Sequence, residues 1–175
     1  ITNKYCKYHL IKTNFFIYLV LIVIFALGGA KHSALAQSGN WTDAGNFSTS
    51  WPSGSGSGTE ASPYAIYTAA ELAKFAKMVN DGTEDFAGKH VHLRSNINLS
   101  GRYWIPIGRN GVMGAFAGTF DGGGNLIDNM TVLIATNDSL AVGLFGYNAG
   151  TVKNVGIGPN CSVTGQGNRT FAGGV

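Results

Sequence analysis

Self-similarity in the second half of the chain constrains the fold more than any other feature of the sequence. Phe120 and the segment 126–132 recur as Phe145 and the segment 151–157, at a spacing of 25 residues. Both segments place a β-branched apolar residue, a charged residue and an asparagine in the same order. A period of this length is typical of a solenoid, in which each repeat packs mainly on its neighbours.

The residues between these repeats indicate strands and turns. From Trp104 onward, short apolar runs alternate with turns rich in Gly, Asn and Asp, and no helical periodicity is present. This pattern predicts an all-β fold, a right-handed parallel β-helix whose coils occupy residues 115–175. The 25-residue spacing predicts four stacked pairs: Phe120 with Phe145, Ile127 with Val152, Val132 with Ile157, and Asn129 with Asn154 as an amide ladder at a turn.

One helix is predicted ahead of the coils. Thr68 and Glu71 form a capping box, and apolar residues recur at helical spacing between residues 72 and 79. We therefore expect a capping helix from Ala69 to Val79, within an N-terminal cap of residues 62–114. Its role would be to cover the strand edges that the first coil leaves unpaired.

The first 36 residues have the order of a secretion signal. Lysines at positions 4, 7 and 12 precede an apolar run over residues 15–27, and the small residues Ala34 and Ala36 follow it. Cleavage is expected between Ala36 and Gln37, which would release a secreted or cell-surface protein. A retained membrane anchor is the alternative, but the run is shorter than the ~20 residues that span a bilayer.

Removal of this signal changes the charge balance. Four of the twelve Lys and Arg residues lie in it, so eight remain against nine Asp and Glu. The mature chain therefore lacks the basic excess of a nucleic-acid-binding protein. Cys161 is the one cysteine of the mature sequence, which excludes an intrachain disulfide.

Residues 37–61 form a leader rich in Gly and Ser. Trp41, Phe47 and Trp51 interrupt it, and they either pin the leader to the domain, which we favour, or contact a partner. At the other end, residues 171–175 are apolar and contain glycines without a terminating element. We expect the natural protein to continue beyond them.

The repeat region resembles a known family. The motif that names the GLUG-repeat family is present as Gly143-Leu144-Phe145-Gly146, and the stretches before it resemble the usual lead-in to such repeats: residues 72–80, 93–99, 104–108 and 116–122. The resemblance covers roughly residues 64–175. Members occur in bacterial surface proteins and beside immunoglobulin A-specific metallopeptidases, so the resemblance implies a secreted β-helical binding region without naming a ligand.

An enzyme is the main rival to a binding module, because parallel β-helices also carry polysaccharide lyases and glycosidases whose carboxylates project from a sheet face. Asp121 is the best catalytic candidate, although an aspartate before glycines 122–124 is also typical of a tight turn. Asp128 and Lys153 are equivalent in the 25-residue spacing and are expected to pair. The sequence fixes no second carboxylate beside Asp121.

Metal and cofactor chemistry find little support in the sequence. His90 and His92 are expected to share one face of a strand, but no third ligand is placed beside them. A His-Glu-x-x-His motif is absent from the sequence, and we predict neither a metal nor a cofactor. Tyr103 and Tyr147 are the candidate glycan contacts, whereas Trp104 is expected to pack on the first coil.

Taken together, these patterns favour an exported, non-enzymatic module that binds host or matrix glycans or glycoproteins across its stacked coils, with no stable transmembrane anchor. Two alternatives stay open. One is a polysaccharide lyase or glycosidase that uses Asp121. The other is an accessory region of a larger surface peptidase.

Overall fold

Alternating burial along short segments organises the folded chain into strands. The computed structural model describes residues 38–108, 114–135, 140–166 and 170–172, so the predicted secretion signal and its cleavage site lie outside the described residues. Within them, no helix is long and apolar enough to cross a membrane. The described elements are α1 (Ala69–Asn80) and the strands β1 (Tyr64–Ile66), β2 (His90–Leu93), β3 (Ile97–Asn98), β4 (Thr119–Asp121), β5 (Leu126–Asp128), β6 (Thr131–Ala135), β7 (Leu140–Val142), β8 (Thr151–Lys153), β9 (Gly156–Ile157), β10 (Ser162–Gln166) and β11 (Thr170–Ala172).

The strands form four parallel sheets. The first has the order β1-β2-β4-β8, the second β3-β5-β9, the third β6-β10 and the fourth β7-β11. All of the strand pairs in the described part of the chain are parallel. Within the described residues, short strands predominate and one short helix is present, which confirms the predicted all-β class, and the parallel pairing is confirmed with it.

Helix α1 begins and ends as its sequence predicts. The backbone N–H of Glu71 donates to the Thr68 hydroxyl (3.3 Å), and the Glu71 carboxylate accepts from the Thr68 N–H (2.9 Å). This reciprocal capping box satisfies two helix-end donors that would otherwise lack partners. Gly82, with φ of 68°, follows the last turn, where a left-handed residue ends a helix.

The capping box gives a first stability prediction. We expect Thr68→Ala to lower the free energy of unfolding by about 1 kcal/mol, because the N-cap oxygen is lost. Thermal or urea denaturation of the two chains measures the difference. Thr83→Ala, an exposed threonine outside the helix, is the matched control and should be near neutral. Equal effects of the two substitutions would contradict a stabilising cap.

The number of residues between strand partners, which we call the step, is larger than the 25-residue spacing of the sequence repeat. Ile97 pairs with Ile127, and Ile127 pairs in turn with Ile157, so the same step is taken twice in the second sheet. In the first sheet Phe120 pairs with Val152, which is a slightly longer step still. Three predicted pairs are wrong for this reason: Ile127 with Val152, Val132 with Ile157, and Phe120 with Phe145.

The predicted pairing of Phe120 with Phe145 is wrong in register, although both residues lie in the core as predicted. Phe145 forms a parallel bridge with Ile107, so it is not the strand equivalent of Phe120. Both rings are nevertheless buried in the core, with centroids 5.3 Å apart and an edge-on geometry. Their burial as apolar residues was therefore predictable, whereas their alignment was not.

Two corner asparagines explain the misleading spacing. Asn129 and Asn154 both have left-handed backbone conformations, with φ of 53° and 54°, which asparagine tolerates better than most residues. Asn129 turns the chain between β5 and β6, whereas Asn154 turns it between β8 and β9, so the similar segments occupy different corners. The predicted Asn129–Asn154 ladder is absent: Asn129 donates to Asn98 (3.2 Å), and Asn154 donates to Asp121 (3.1 Å).

An aromatic cluster fills the interior where α1 meets the sheets. Phe75 of α1 is fully buried, and its ring centroid lies 4.9 Å from that of Phe86, 5.4 Å from that of Phe116 and 5.8 Å from that of Phe120. Trp51 approaches the same ring edge-on at 6.0 Å. One helical side chain therefore joins apolar residues from several separate segments of the chain.

The leader packs on the domain through its aromatic residues. Trp51 is 3% exposed and donates its indole N–H to the Ala65 carbonyl (2.7 Å). Trp41 donates in the same way to the Leu99 carbonyl (2.9 Å), and Phe47 packs partly buried against the core. This confirms the packing alternative for the leader aromatics.

Candidate functional site

The outward side of the first sheet carries two rows of polar residues. Alternation along a strand places every second side chain on the same face, and the pairing aligns His92 with Asp121 and Asp121 with Lys153. A parallel row aligns His90 with Thr119, and Thr119 with Thr151. We call these six residues the outer face.

A shallow groove of about 240 Å³ runs over the outer face. It is lined by Glu60 and Pro63 on the β1 side, by residues 90–92 of β2, by Thr119 and Asp121 of β4, and by Lys153 of β8. His90 and His92 line the same groove, as expected of two residues on one face of a strand. In the described part of the chain, no cluster of His, Cys, Asp or Glu has the makings of a metal site.

Asp121 has partners on both carboxylate oxygens. Oδ1 accepts from the Gly123 backbone N–H (2.9 Å) and from the Asn154 amide (3.1 Å), and Oδ2 lies 3.5 Å from Lys153 Nζ. The Gly123 hydrogen bond, helped by Asn154 and Lys153, holds the pKa of Asp121 below its ordinary value. Asp121 therefore forms the predicted turn while its carboxylate also lines the groove.

Lys153 pairs with Asp121, so the expected pairing of Lys153 with Asp128 is wrong. Asp128 instead accepts from the Asn160 amide (3.0 Å) and from the backbone N–H of Asn129 (2.9 Å). These hydrogen bonds, the Asn160 side chain first, hold the pKa of Asp128 below its ordinary value. The correction follows from the longer step, which sets β8 beside β4.

The pKa of His92, another groove residue, is also shifted by its surroundings. Partial burial lowers the pKa of its imidazole below the ordinary value, and the charges of Arg94 and Lys153 lower it further, against the opposing charge of Asp121. Its Nε2 atom lies against Gly123, since a Cβ on that glycine would come within 2.6 Å of it. The side chain thus bridges from β2 to the corner after β4.

Asp121 gives a prediction for the pH dependence of stability. Because the folded pKa is depressed, the carboxylate stabilises the fold above its unfolded pKa of ~3.9, and this contribution is lost as pH falls through the lower folded value. We expect Asp121→Asn to be about 1 kcal/mol less stable than the parent at neutral pH, with the difference shrinking below about pH 4. Urea denaturation across that range measures it, and a difference that is constant with pH would contradict the prediction.

The two predicted tyrosine contacts lie away from this groove. Tyr103 is half-buried and forms parallel bridges with Asn40 and Thr131, next to the third sheet. Tyr147 is 39% exposed and donates its backbone N–H to the Gly108 carbonyl (2.7 Å). The tyrosines are therefore at separate positions along the chain and do not belong to the outer face.

The Gly-Leu-Phe-Gly motif occupies an interior turn after β7. Leu144 and Phe145 are buried, between Gly143 and Gly146. The Leu144 carbonyl accepts from the Ile107 backbone N–H (3.0 Å) and from the indole of Trp104 (3.1 Å), which is fully buried as predicted. The motif thus supports packing between neighbouring segments of the chain, and none of its four residues lines the groove.

Sequence reasoning missed the alignment of Thr119 with Thr151 on the outer face. A signal for it exists, because residues 117–119 and residues 149–151 are both Ala-Gly-Thr. The glycines of these triplets pack closely: a Cβ on Gly150 would lie 2.1 Å from the Gly118 carbonyl oxygen. The identical triplet therefore reports the true step between β4 and β8.

Comparisons with known proteins add no relative to this description. No family model matches the chain, no curated protein matches it, and no solved structure matches it.

Proposed function

We propose that this chain is an exported binding module of the GLUG-repeat type, folded as a parallel β-helix, which holds glycans along the outer face of its first sheet. The outer face is the observation that carries the proposal. Its six polar side chains stand in two rows across three parallel strands. Hydroxyl, imidazole, carboxylate and ammonium groups at regular spacing offer both donors and acceptors to a sugar chain.

The strand arrangement supports the β-helical part of the proposal. Equivalent strands recur at nearly constant steps along the chain, and each pairs in parallel with its counterpart. At the N-terminal end, β1 pairs along β2, and Asn40 bridges Tyr103. These contacts, with α1 inserted into the adjacent core, are those expected of a cap on a stack of coils.

The groove is better suited to a polar ligand than to the surface of a partner protein. Protein interfaces depend on buried aromatic and aliphatic anchors, and the six outward residues include none. The groove is also small and open, with a volume on the scale of a sugar residue rather than of a folded partner. An extended glycan could contact the groove and continue along the rows.

The chemistry of Asp121 favours binding over catalysis. A general acid or base works best with a pKa near the operating pH, whereas the pKa of Asp121 is lowered and both of its oxygens already have partners. Such a carboxylate is well suited to accept a hydrogen bond from a hydroxyl group. It is poorly suited to take and return a proton.

Retention on a panel of immobilised glycans and matrix proteins tests the proposal. We expect the chain to be retained by at least one glycan without releasing new reducing ends or unsaturated products. Thr119→Tyr, which places a bulky ring in the centre of the groove, should reduce retention about tenfold or more. Thr164→Tyr is the matched control, because Thr164 is an exposed strand residue of the third sheet, and it should bind as the parent does.

Each other outcome would overturn the proposal in a distinct way. Equal retention of both tyrosine variants would place binding outside the groove. Retention by deglycosylated proteins alone would indicate a protein partner, and product release that Asp121→Asn abolishes would indicate a polysaccharide-active enzyme.

A further inference from the structure

Glycines form the corner that follows β4, and basic side chains lie near it. Gly123 and Gly124 have φ of 59° and 81°, which glycine adopts without strain. A Cβ placed on Gly124 would meet no atom within 4 Å. The chain therefore leaves open space above this corner, at the end of the groove.

Three side chains with positive or titratable charge lie near this corner. Arg94 follows β2 on the same parity as His90 and His92, and it is exposed. Lys153 approaches from β8 on the other side of β4, with its side chain 52% exposed. His92 lies between them with Nε2 against Gly123, and both cations act on its titration.

Two carboxylates also face this region. Asp121 lies beneath the space, but it is already matched by Lys153, Asn154 and Gly123. Glu60 lines the groove from the β1 side, across the sheet from Lys153. Among the described residues Arg94 has no ion-pair partner, so the charge left over at the corner is positive, and protonation of His92 in acid adds to it.

We propose that this corner binds the carboxylate of a uronic acid residue, held by Arg94, His92 and Lys153, so that the module prefers acidic glycans and binds them more tightly in acid. The inference rests on the proposed glycan-binding function and names its ligand class. His92 is the histidine at the corner, and its lowered pKa leaves the imidazole mainly neutral at neutral pH and protonated only in acid. The charged groups that face His92 are Arg94, Lys153 and Asp121, and Glu60 lines the groove on the β1 side.

The decisive probe pair is a hyaluronan hexasaccharide and the same hexasaccharide with its carboxylates methyl-esterified. Affinity of the full chain for both is measured by calorimetry at about pH 5 and pH 8. The acid form should bind more tightly than the ester, and its affinity should rise about three- to fivefold from the higher to the lower pH, as one added imidazolium charge at an exposed site would produce. Added salt should weaken the acid form selectively.

Variants separate the roles of the corner residues. Arg94→Gln and Lys153→Gln should each weaken the acid form about three- to fivefold, as expected for exposed ion pairs. Lys77→Gln, which also removes an ion-paired lysine but lies outside the groove, should have no effect. His92→Gln should remove most of the pH dependence, whereas His90→Gln, two positions farther from the corner, should keep it.

Asp121→Asn gives the most distinctive result. Removing its charge leaves Lys153 without its carboxylate partner and the corner more positive, so the affinity for the acid form should rise relative to that for the ester. If Asp121 were only structural, the substitution would lower the affinity for acid and ester alike. If Asp121 were catalytic, the substitution would abolish turnover.

Failure of this inference is distinguishable from failure of the proposed function. Equal binding of acid and ester at both pH values, still lost in Thr119→Tyr, would overturn the acidic preference and leave glycan binding standing. Absence of binding by either probe and by the whole glycan panel would overturn both.

Discussion

Replacing Phe75 by alanine is expected to lower the free energy of unfolding by about 3–5 kcal/mol, the range for a fully buried phenylalanine. Its ring contacts aromatic residues from several other segments, and none of them can fill the space without leaving its own position. Against a typical total stability of about 5–15 kcal/mol, this loss should unfold a large fraction of the chain on mild heating. Thermal and urea denaturation followed by circular dichroism measure it.

A helix-surface substitution separates loss of the core from loss of the helix. Lys74→Ala keeps helix propensity and removes only a cation–π contact with Phe47, 5.4 Å from the ring centroid, so it should cost about 0.5–1 kcal/mol. Phe75→Leu should fall between the two. If Phe75→Ala costs no more than Lys74→Ala, α1 does not insert into the core in the way described.

Gly150→Ala is expected to be strongly destabilising, although it adds only one methyl group. The new methyl group would lie 2.1 Å from the Gly118 carbonyl oxygen and 2.7 Å from the Ala117 carbonyl carbon. Both neighbours are backbone atoms, so β4 and β8 would have to separate, at a cost to the hydrogen bond from Thr151 N–H to the Gly118 carbonyl (2.8 Å). Overpacking and the lost bond together should cost about 2–4 kcal/mol.

The matched control is another glycine with a less crowded environment. Gly114→Ala places its methyl 3.3 Å from the nearest backbone atom, the Val79 carbonyl oxygen. The neighbouring backbone would have to move only slightly to accept this methyl group. Alanine also lowers the conformational entropy of the unfolded chain, which stabilises the fold by about 0.4–1 kcal/mol. A near-neutral Gly114→Ala beside a destabilising Gly150→Ala supports the pairing of β4 with β8, whereas equal tolerance of both would contradict it.

Local features of the fold were predictable because their causes lie within a few residues. The capping box needs only Thr68 and Glu71, and the burial of Phe75 follows from helical spacing. Alternation in β2 likewise placed His90 and His92 on one face. These short-range patterns were enough to predict the helix, the all-β class and part of the outer face.

Long-range register was not predictable from the same patterns. Corner asparagines are selected for a left-handed conformation that recurs at different corners, so Asn129 and Asn154 resemble each other without being stacked. The true spacing between strand partners is indicated by less conspicuous sequence features, such as the isoleucines at 97, 127 and 157. The wrong step then led to the wrong partner for Lys153 and hid the ordering of the groove residues.

Amide chemical-shift mapping of the chain with hyaluronan hexasaccharide and with neutral maltohexaose tests the central claim, glycan binding on the outer face, most directly. The account predicts that at least one of these probes shifts signals from residues 90–94, 119–121 and 151–153, and leaves those of the third sheet unchanged. Shifts confined to the third sheet or to the surroundings of Tyr103 and Tyr147, or a spectrum unchanged by both probes, would contradict it.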